Sequence, residues 1–179
     1  MLTSQLEIPS AVPPAAVEDA VRTARVLHLI NGEHYSGAER VQDLLARELP
    51  QFGYEVGFAC VKPFRFPIAR ETISAPLVEL PMRGRFDLRI VKKLVQLIES
   101  ENYSLVHAHT PRTALLGRLA AKRAGVPLIY HVHSPAGRDS TRQFLNAFNA
   151  LVEWHSLRDA DRLIAVSPSL ERYMVARGF

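Results

Sequence analysis

The chain has 179 residues, 47% of them apolar, and a net charge of +4 from 22 Lys and Arg against 18 Asp and Glu, which suits one domain around one core. No run of about 18 uncharged apolar residues occurs, and the opening lacks a basic start followed by an apolar run; this argues against a spanning helix or a secretory leader and predicts a soluble, cytoplasmic protein. The single cysteine, Cys60, allows no internal disulfide and, within an apolar run, reads as a buried thiol.

Residues 1–24, rich in Pro and Ala and without a sustained period, are expected to form a mobile N-terminal arm. Beyond them, short β-branched runs alternate with helical ones, the pattern of βαβ units with right-handed crossovers and a parallel sheet. The first strand is predicted over 25–30. It opens into Asn31-Gly32-Glu33-His34-Tyr35-Ser36-Gly37-Ala38-Glu39-Arg40, a small-residue turn running into a helix start, which offers free N–H groups and a positive dipole end to an anion. Ser36 and Glu39 also fit a capping box, which accounts for both without a ligand. Neither the dinucleotide fingerprint GxGxxG nor the phosphate loop GxxxxGK[ST] occurs there. The helix that follows carries Val41, Leu44, Leu45 and Leu49 as an apolar stripe at 3.6-residue spacing, and Gly53 marks its exit.

A second strand is predicted over 55–61, a connection punctuated by Pro63, Pro67 and Pro76 follows, and a third strand covers 77–80. The helix over 87–101 sets Leu88, Val91, Leu94, Val95 and Ile98 on one face. Charge is uneven here: residues 60–123 hold 12 Lys or Arg against 5 Asp or Glu. Arg83, Arg85, Arg89, Lys92 and Lys93 gather at the start of this helix, where they suit anionic membrane lipid, a phosphorylated ligand or a solvated face. Nucleic acid is disfavoured, since no aromatic residues interleave with the charges as a stacking platform.

The fourth strand covers 105–108, a helix 111–124 and the fifth strand 127–131. His107 and His109 flank one strand end and His131 and His133 the next, each pair at the i, i+2 spacing that points both side chains to one face. Such pairs can ligate zinc, but these come without neighbouring carboxylate or cysteine ligands. His107 and His131 therefore read as core residues with satisfied ring nitrogens, whereas His109 and His133, followed by Thr110-Pro111 and Ser134-Pro135, face the crevice and can bond sugar hydroxyls or phosphate oxygens. A long helix over 141–158 would bury Phe144, Leu145, Phe148, Leu151 and Val152. The last strand covers 161–166 and the last helix 167–177. Thr110-Pro111 and Ser167-Pro168 read as N-caps with proline in the first helical position. In a sheet wound this way ligands settle outside the carboxyl ends of the strands, on the loops after Ile30, Ala108, Tyr130 and Val166.

Ser36-Gly37-Ala38-Glu39-Arg40-Val41, Val106-His107-Ala108-His109, His131-Val132-His133 and Ala160-Asp161-Arg162-Leu163-Ile164-Ala165-Val166-Ser167, in this order and spacing, resemble the N-terminal domain of the family 4, or group 1, glycosyltransferases over residues 25–179. The resemblance implies a Rossmann-like three-layer α/β sandwich with a mostly parallel sheet, the N-terminal half of a GT-B fold. It also implies sugar transfer from a nucleotide diphosphate donor to an acceptor, with retention at the anomeric carbon and without a metal or other cofactor. By this resemblance Ser36, Gly37, Ala38 and Glu39 lie against the donor phosphates and acceptor, and His133 is the catalytic position, contacting the donor sugar. His109 and Arg112 line the acceptor side, and Ser134 and Ser167 are further substrate-binding positions. Ser36 departs from the family, which often has glycine there. The family's donor-binding C-terminal domain lies outside the chain, so the chain alone is expected to be inactive. A sugar, lipid-linked or small-molecule acceptor is implied, with peripheral contact at the inner face of a membrane through Arg83 to Lys93. The alternative is a non-catalytic sugar- or phosphate-binding module on the same scaffold.

Overall fold

The structure, a computed structural model, describes residues 23–84, 87–133, 154, 157–158 and 160–179. The expected arm falls outside the described residues except at its end, where Ala24 already opens the first strand. Most of the helix expected over 141–158 also lies outside them. In chain order the elements are β1 (Ala24–Ile30), α1 (Gly37–Glu48) continued by a 3-10 turn (Leu49–Phe52), β2 (Tyr54–Cys60), α2 (Phe66–Ala69), β3 (Leu77–Glu79), α3 (Arg89–Ser100), β4 (Leu105–Ala108), α4 (Pro111–Ala124), β5 (Leu128–Val132), β6 (Arg162–Ala165) and α5 (Pro168–Ala176). Among the described residues no helix is long and apolar enough to cross a membrane.

All six strands run parallel, in the order β3-β2-β1-β4-β5-β6. The fold is thus Rossmann-like α/β, as expected: parallel neighbours need crossover connections, and the alternating sequence supplies them. The chain builds outward from β1 to β3, returns to β4, and builds the other way to β6. The loops leaving β1 and β4 diverge at that reversal and open a crevice at the carboxyl ends of the two central strands.

Each central strand sends alternate residues to opposite faces. On one face Leu27, Leu29, Val106, Leu128 and Tyr130 pack with Leu94 and Ile98 of α3 and with Leu116 and Ala120 of α4. Full burial of each such side chain stabilises by about 1.5–3 kcal/mol. On the other face a smaller cluster joins Val26, Ile30, Val56, Phe58 and Cys60 to Ala46 of α1 and Phe66 of α2. The ends of α4 follow their local signals: the Thr113 N–H donates to Thr110 Oγ1 at 3.3 Å, Pro111 takes the first position, and Gly125 closes the helix at φ 69°.

α1 departs from its sequence pattern. Its buried residues are Glu39, Gln42, Asp43 and Ala46, while Leu44 is 46% exposed and Val41 and Leu45 are only partly covered. The reason lies in what the helix meets. Asp43 Oδ2 accepts the Tyr35 hydroxyl at 2.7 Å and the Glu71 N–H at 2.6 Å, and its Oδ1 accepts the Thr72 N–H at 3.0 Å. Burial acts to raise the pKa of this carboxyl, but these hydrogen bonds outweigh it and hold it below the usual value. A buried carboxylate with three donors anchors α1 to the connection before β3, and hydrophobic periodicity does not register such an anchor.

Candidate functional site

The turn after β1 is held on both sides. Gly32 lies at φ +79°, and a Cβ there would run into Cys60 Sγ and stand 2.9 Å from the Lys62 carbonyl, so only glycine fits. The Lys62 N–H donates to Asn31 O at 2.8 Å, and those of Arg65 and Phe66 to Gly32 O at 3.0 and 3.2 Å. Lys62 and Glu33 form an ion pair beside the turn. Ser36 is extended and caps α1; Glu39 Oε2 accepts both its N–H, at 3.2 Å, and its hydroxyl, at 2.8 Å. The buried Glu39 carboxylate is therefore engaged in the cap, the role that the capping-box reading assigns. Gly37 differs from Gly32: it is exposed, and a Cβ there would meet nothing within 4 Å. The first-turn N–H groups of α1 have no acceptor within the helix, and at Gly37 no side chain crowds them.

Across the reversal, Arg112 in the first turn of α4 donates from Nη1 to Asn31 Oδ1 at 2.8 Å. This ties the two diverging loops together. Asn31 is a site residue that sequence reading used only as part of a turn.

Five histidines share one face of the sheet. In the strand register His28 pairs with His107, and His107 with Ile129, two residues before His131. Period-2 alternation then puts His28, His107 and His131 on the same side, with His109 and His133 continuing past the strand ends. Ring centroids lie 4.7 Å apart for His28–His107, 4.4 Å for His107–His109, 5.0 Å for His109–His131 and 4.5 Å for His131–His133. His109 Nδ1 and His133 Nε2 are 3.0 Å apart, sharing one proton. His28 was missed in the sequence because it sits inside the apolar run of β1; its signal is that it lies two residues from both Val26 and Ile30 and so shares their face, the one toward α1.

Burial makes these rings neutral. It is the largest cause of the lowered pKa of each, aided by neighbouring imidazoles: His28 and His109 lie well below the ordinary value of 6.5, His107 is lowered to about 3 and His131 to about 4. Burial lowers His133 as well, with Glu39 opposing. Two expectations need correction. His107 and His131 are buried, but His107 Nε2 and His131 Nδ1 have no hydrogen-bond partner among the described residues. His109 is 3% exposed, inside the stack and not at the crevice surface; His133 is the half-buried member at the mouth. Of the other expected positions, Ser167 caps α5, accepting the Leu170 N–H at 3.3 Å and lying 3.0 Å from Ser169 Oγ. Ser134 lies outside the described residues.

A sequence profile of Glycosyltransferase Family 4 matches residues 35–179. The chain is 33% identical over 81 residues to the UDP-Gal:alpha-D-GlcNAc-diphosphoundecaprenol alpha-1,3-galactosyltransferase of Escherichia coli, a match covering 45% of this chain and 21% of that protein. Among solved structures it is similar to Anabaena Alr3699/HepE in complex with UDP and glucose, with a TM-score of 0.68 at 22% identity, over 87% of this chain and 41% of that one. It is also similar to Acinetobacter baumannii MurG, with a TM-score of 0.62 at 15% identity, over 81% and 42% of the two chains. The chain thus spans well under half of each of these proteins, and the likeness to the solved structures is one of fold.

Proposed function

Since this chain belongs to Glycosyltransferase Family 4, we propose that its crevice is the acceptor-side wall of a site that moves a sugar from a nucleotide diphosphate donor to an acceptor, with retention at the anomeric carbon. The observation that carries this reading is the state of His133. It is a neutral imidazole, half-buried at the crevice mouth, with Nε2 held against His109 Nδ1 at 3.0 Å. That contact fixes the ring and leaves its other nitrogen for a sugar hydroxyl, so the group positions the donor without performing nucleophilic attack. The first turn of α1 stands ready for the charge that grows on the departing diphosphate. Gly37 leaves its N–H groups open, and a helix N-terminus favours an anion. Ser36, Ala38 and the capped Glu39 hold that turn in shape, and Arg112, tied to Asn31, lines the acceptor side. The transfer needs no metal cofactor on this reading, because backbone dipoles and neutral donors offset the charge.

A UDP-type donor is favoured because HepE, of similar fold, is known in complex with UDP, with UDP and glucose and with UDP-glucose. A second domain outside the chain would bind most of that donor, leaving this chain inactive by itself. A lipid-linked diphosphate acceptor is favoured by the E. coli relative, whose name gives such an acceptor, and by Arg83, Arg89, Lys92 and Lys93, all exposed around the start of α3. Arg85, the fifth of that group, lies outside the described residues. These cations suit a cytoplasmic protein resting at the inner face of a membrane.

The test is sugar transfer from UDP-sugars by the complete polypeptide, with and without His133→Ala. A loss of about 10²- to 10³-fold in kcat, the usual cost of removing one preorganised donor, is expected; unchanged transfer overturns the reading. Donor binding by the 179-residue chain alone, as tight as by the complete polypeptide, overturns the division between the two domains.

A further inference from the structure

Sugar transfer uses His133 and its contact with His109, and leaves the rest of the histidine stack unexplained. Five buried ring nitrogens, two on His28 and one each on His107, His109 and His131, have no partner among the described residues. Each unpaired buried polar group costs about 1–3 kcal/mol, and apolar side chains would fill the same space between α1 and the sheet without that cost. Of these rings, His131 stands next to the paired His109 and His133, with centroids 5.0 and 4.5 Å away, and a neutral imidazole there has a lone pair to give to a ligand.

We propose that His109, His131 and His133 bind a divalent transition-metal ion of the zinc, nickel and copper class. One ring nitrogen from each lies within 4.8 Å of those of the other two. His109 Nδ1 and His133 Nε2, at 3.0 Å, are already close to the separation of about 3.3 Å between two nitrogens bound tetrahedrally to zinc at about 2.0–2.1 Å. The ion would take a lone pair from each of these two nitrogens while the one proton they share moves to the other nitrogen of its own ring, so that both imidazoles stay neutral, and a small rotation of the neighbouring His131 ring completes three ligands. The backbone needs no rearrangement, because His131 and His133 project from one face of β5 and His109 follows directly on β4, its sheet neighbour. An all-imidazole set without a carboxylate favours zinc, nickel or copper over magnesium and calcium, which take oxygen ligands. Three protein ligands with His133 at the crevice mouth leave the fourth position to water, as in accessible zinc sites. The buried His28 and His107 pack behind His109, with ring centroids 5.7 and 4.4 Å away.

The ion takes His133 Nε2, on the His109 side, and leaves the ring's other nitrogen, which the reading of the previous section gives to the donor sugar; metal binding itself does not rest on that reading.

The experiment titrates the chelator-stripped 179-residue chain with Zn2+ by calorimetry and with Co2+ by visible absorption, which reports coordination number. One ion per chain and a four-coordinate Co2+ spectrum are expected. His109→Ala and His131→Ala should each weaken Zn2+ binding by more than the roughly 10- to 100-fold that follows loss of an outer-shell partner. His34→Ala, at an exposed histidine outside the triplet, should leave binding unchanged. Circular dichroism checks folding, and His131→Gln replaces His131→Ala if the latter fails to fold. No stoichiometric binding by the unsubstituted chain overturns the proposal, as does binding that survives both folded variants. Loss of transfer in His133→Ala with Zn2+ binding intact overturns the metal site while leaving the transfer reading in place.

Discussion

The two glycines of the turn after β1 do opposite things. A methyl group at Gly32 would meet Cys60 Sγ and the Lys62 carbonyl, at a φ of +79° that side chains rarely adopt. Gly32→Ala should therefore cost about 2–4 kcal/mol from backbone strain and overpacking together, read as a lowered urea midpoint. The same change at Gly37 is the control: its Cβ would meet open space, and in the first turn of a helix alanine should leave stability unchanged or raise it by about 0.5 kcal/mol. Equal losses at both positions would contradict this account. In the sequence both read only as small residues in a turn. Which one the fold needs became visible when β2 and its following loop were seen to pack against Gly32, a contact across about thirty residues that no local pattern carries.

Among the elements, α1 shows how tertiary partners override periodicity. Its apolar residues line up at helical spacing, yet the face that turns inward is Glu39, Gln42, Asp43 and Ala46. Asp43 alone takes the Tyr35 hydroxyl and the N–H groups of Glu71 and Thr72. Asp43→Ala strands these donors and should cost about 2–4 kcal/mol, seen in thermal melts together with faster proteolysis in the connection around Thr72. A melt unchanged by the substitution would mean the anchor does not hold. α4, in contrast, runs over the predicted residues, because Thr110-Pro111 and Gly125 fix its two ends through backbone chemistry that is wholly local. β4 likewise ends as predicted, and β5 extends one residue further, to Val132.

For the molecule as a whole, the histidine stack predicts sensitivity to acid. In the unfolded chain these rings titrate near 6.5, whereas in the folded chain burial lowers His107 to about 3 and His131 to about 4, and holds His28 and His109 well below their ordinary value. Below about pH 6.5 the unfolded state then binds protons that the folded state refuses, so stability falls as pH falls, by at most about 1.4 kcal/mol per pH unit for each ring. The contribution of His131 levels off near pH 4 and that of His107 near pH 3; Asp43, held below its ordinary value of 3.8, adds loss in the same direction as pH falls below that value. Urea unfolding at pH 7, 6, 5 and 4 should show a steepening decline, and a flat profile from 7 to 5 would mean that the rings are solvated. The sequence by itself determined the α/β class, the parallel alternation and the strand-end loops where the site lies, because these follow from period, caps and turn residues within a few positions of one another. It also marked His109 and His133. Only the tertiary structure decided that His28 joins them, that His109 is buried while His133 meets the crevice, and that the inner face of α1 is polar. Those outcomes depend on the order and register of strands far apart in the chain, which bring five imidazoles onto one face with too few partners to satisfy them.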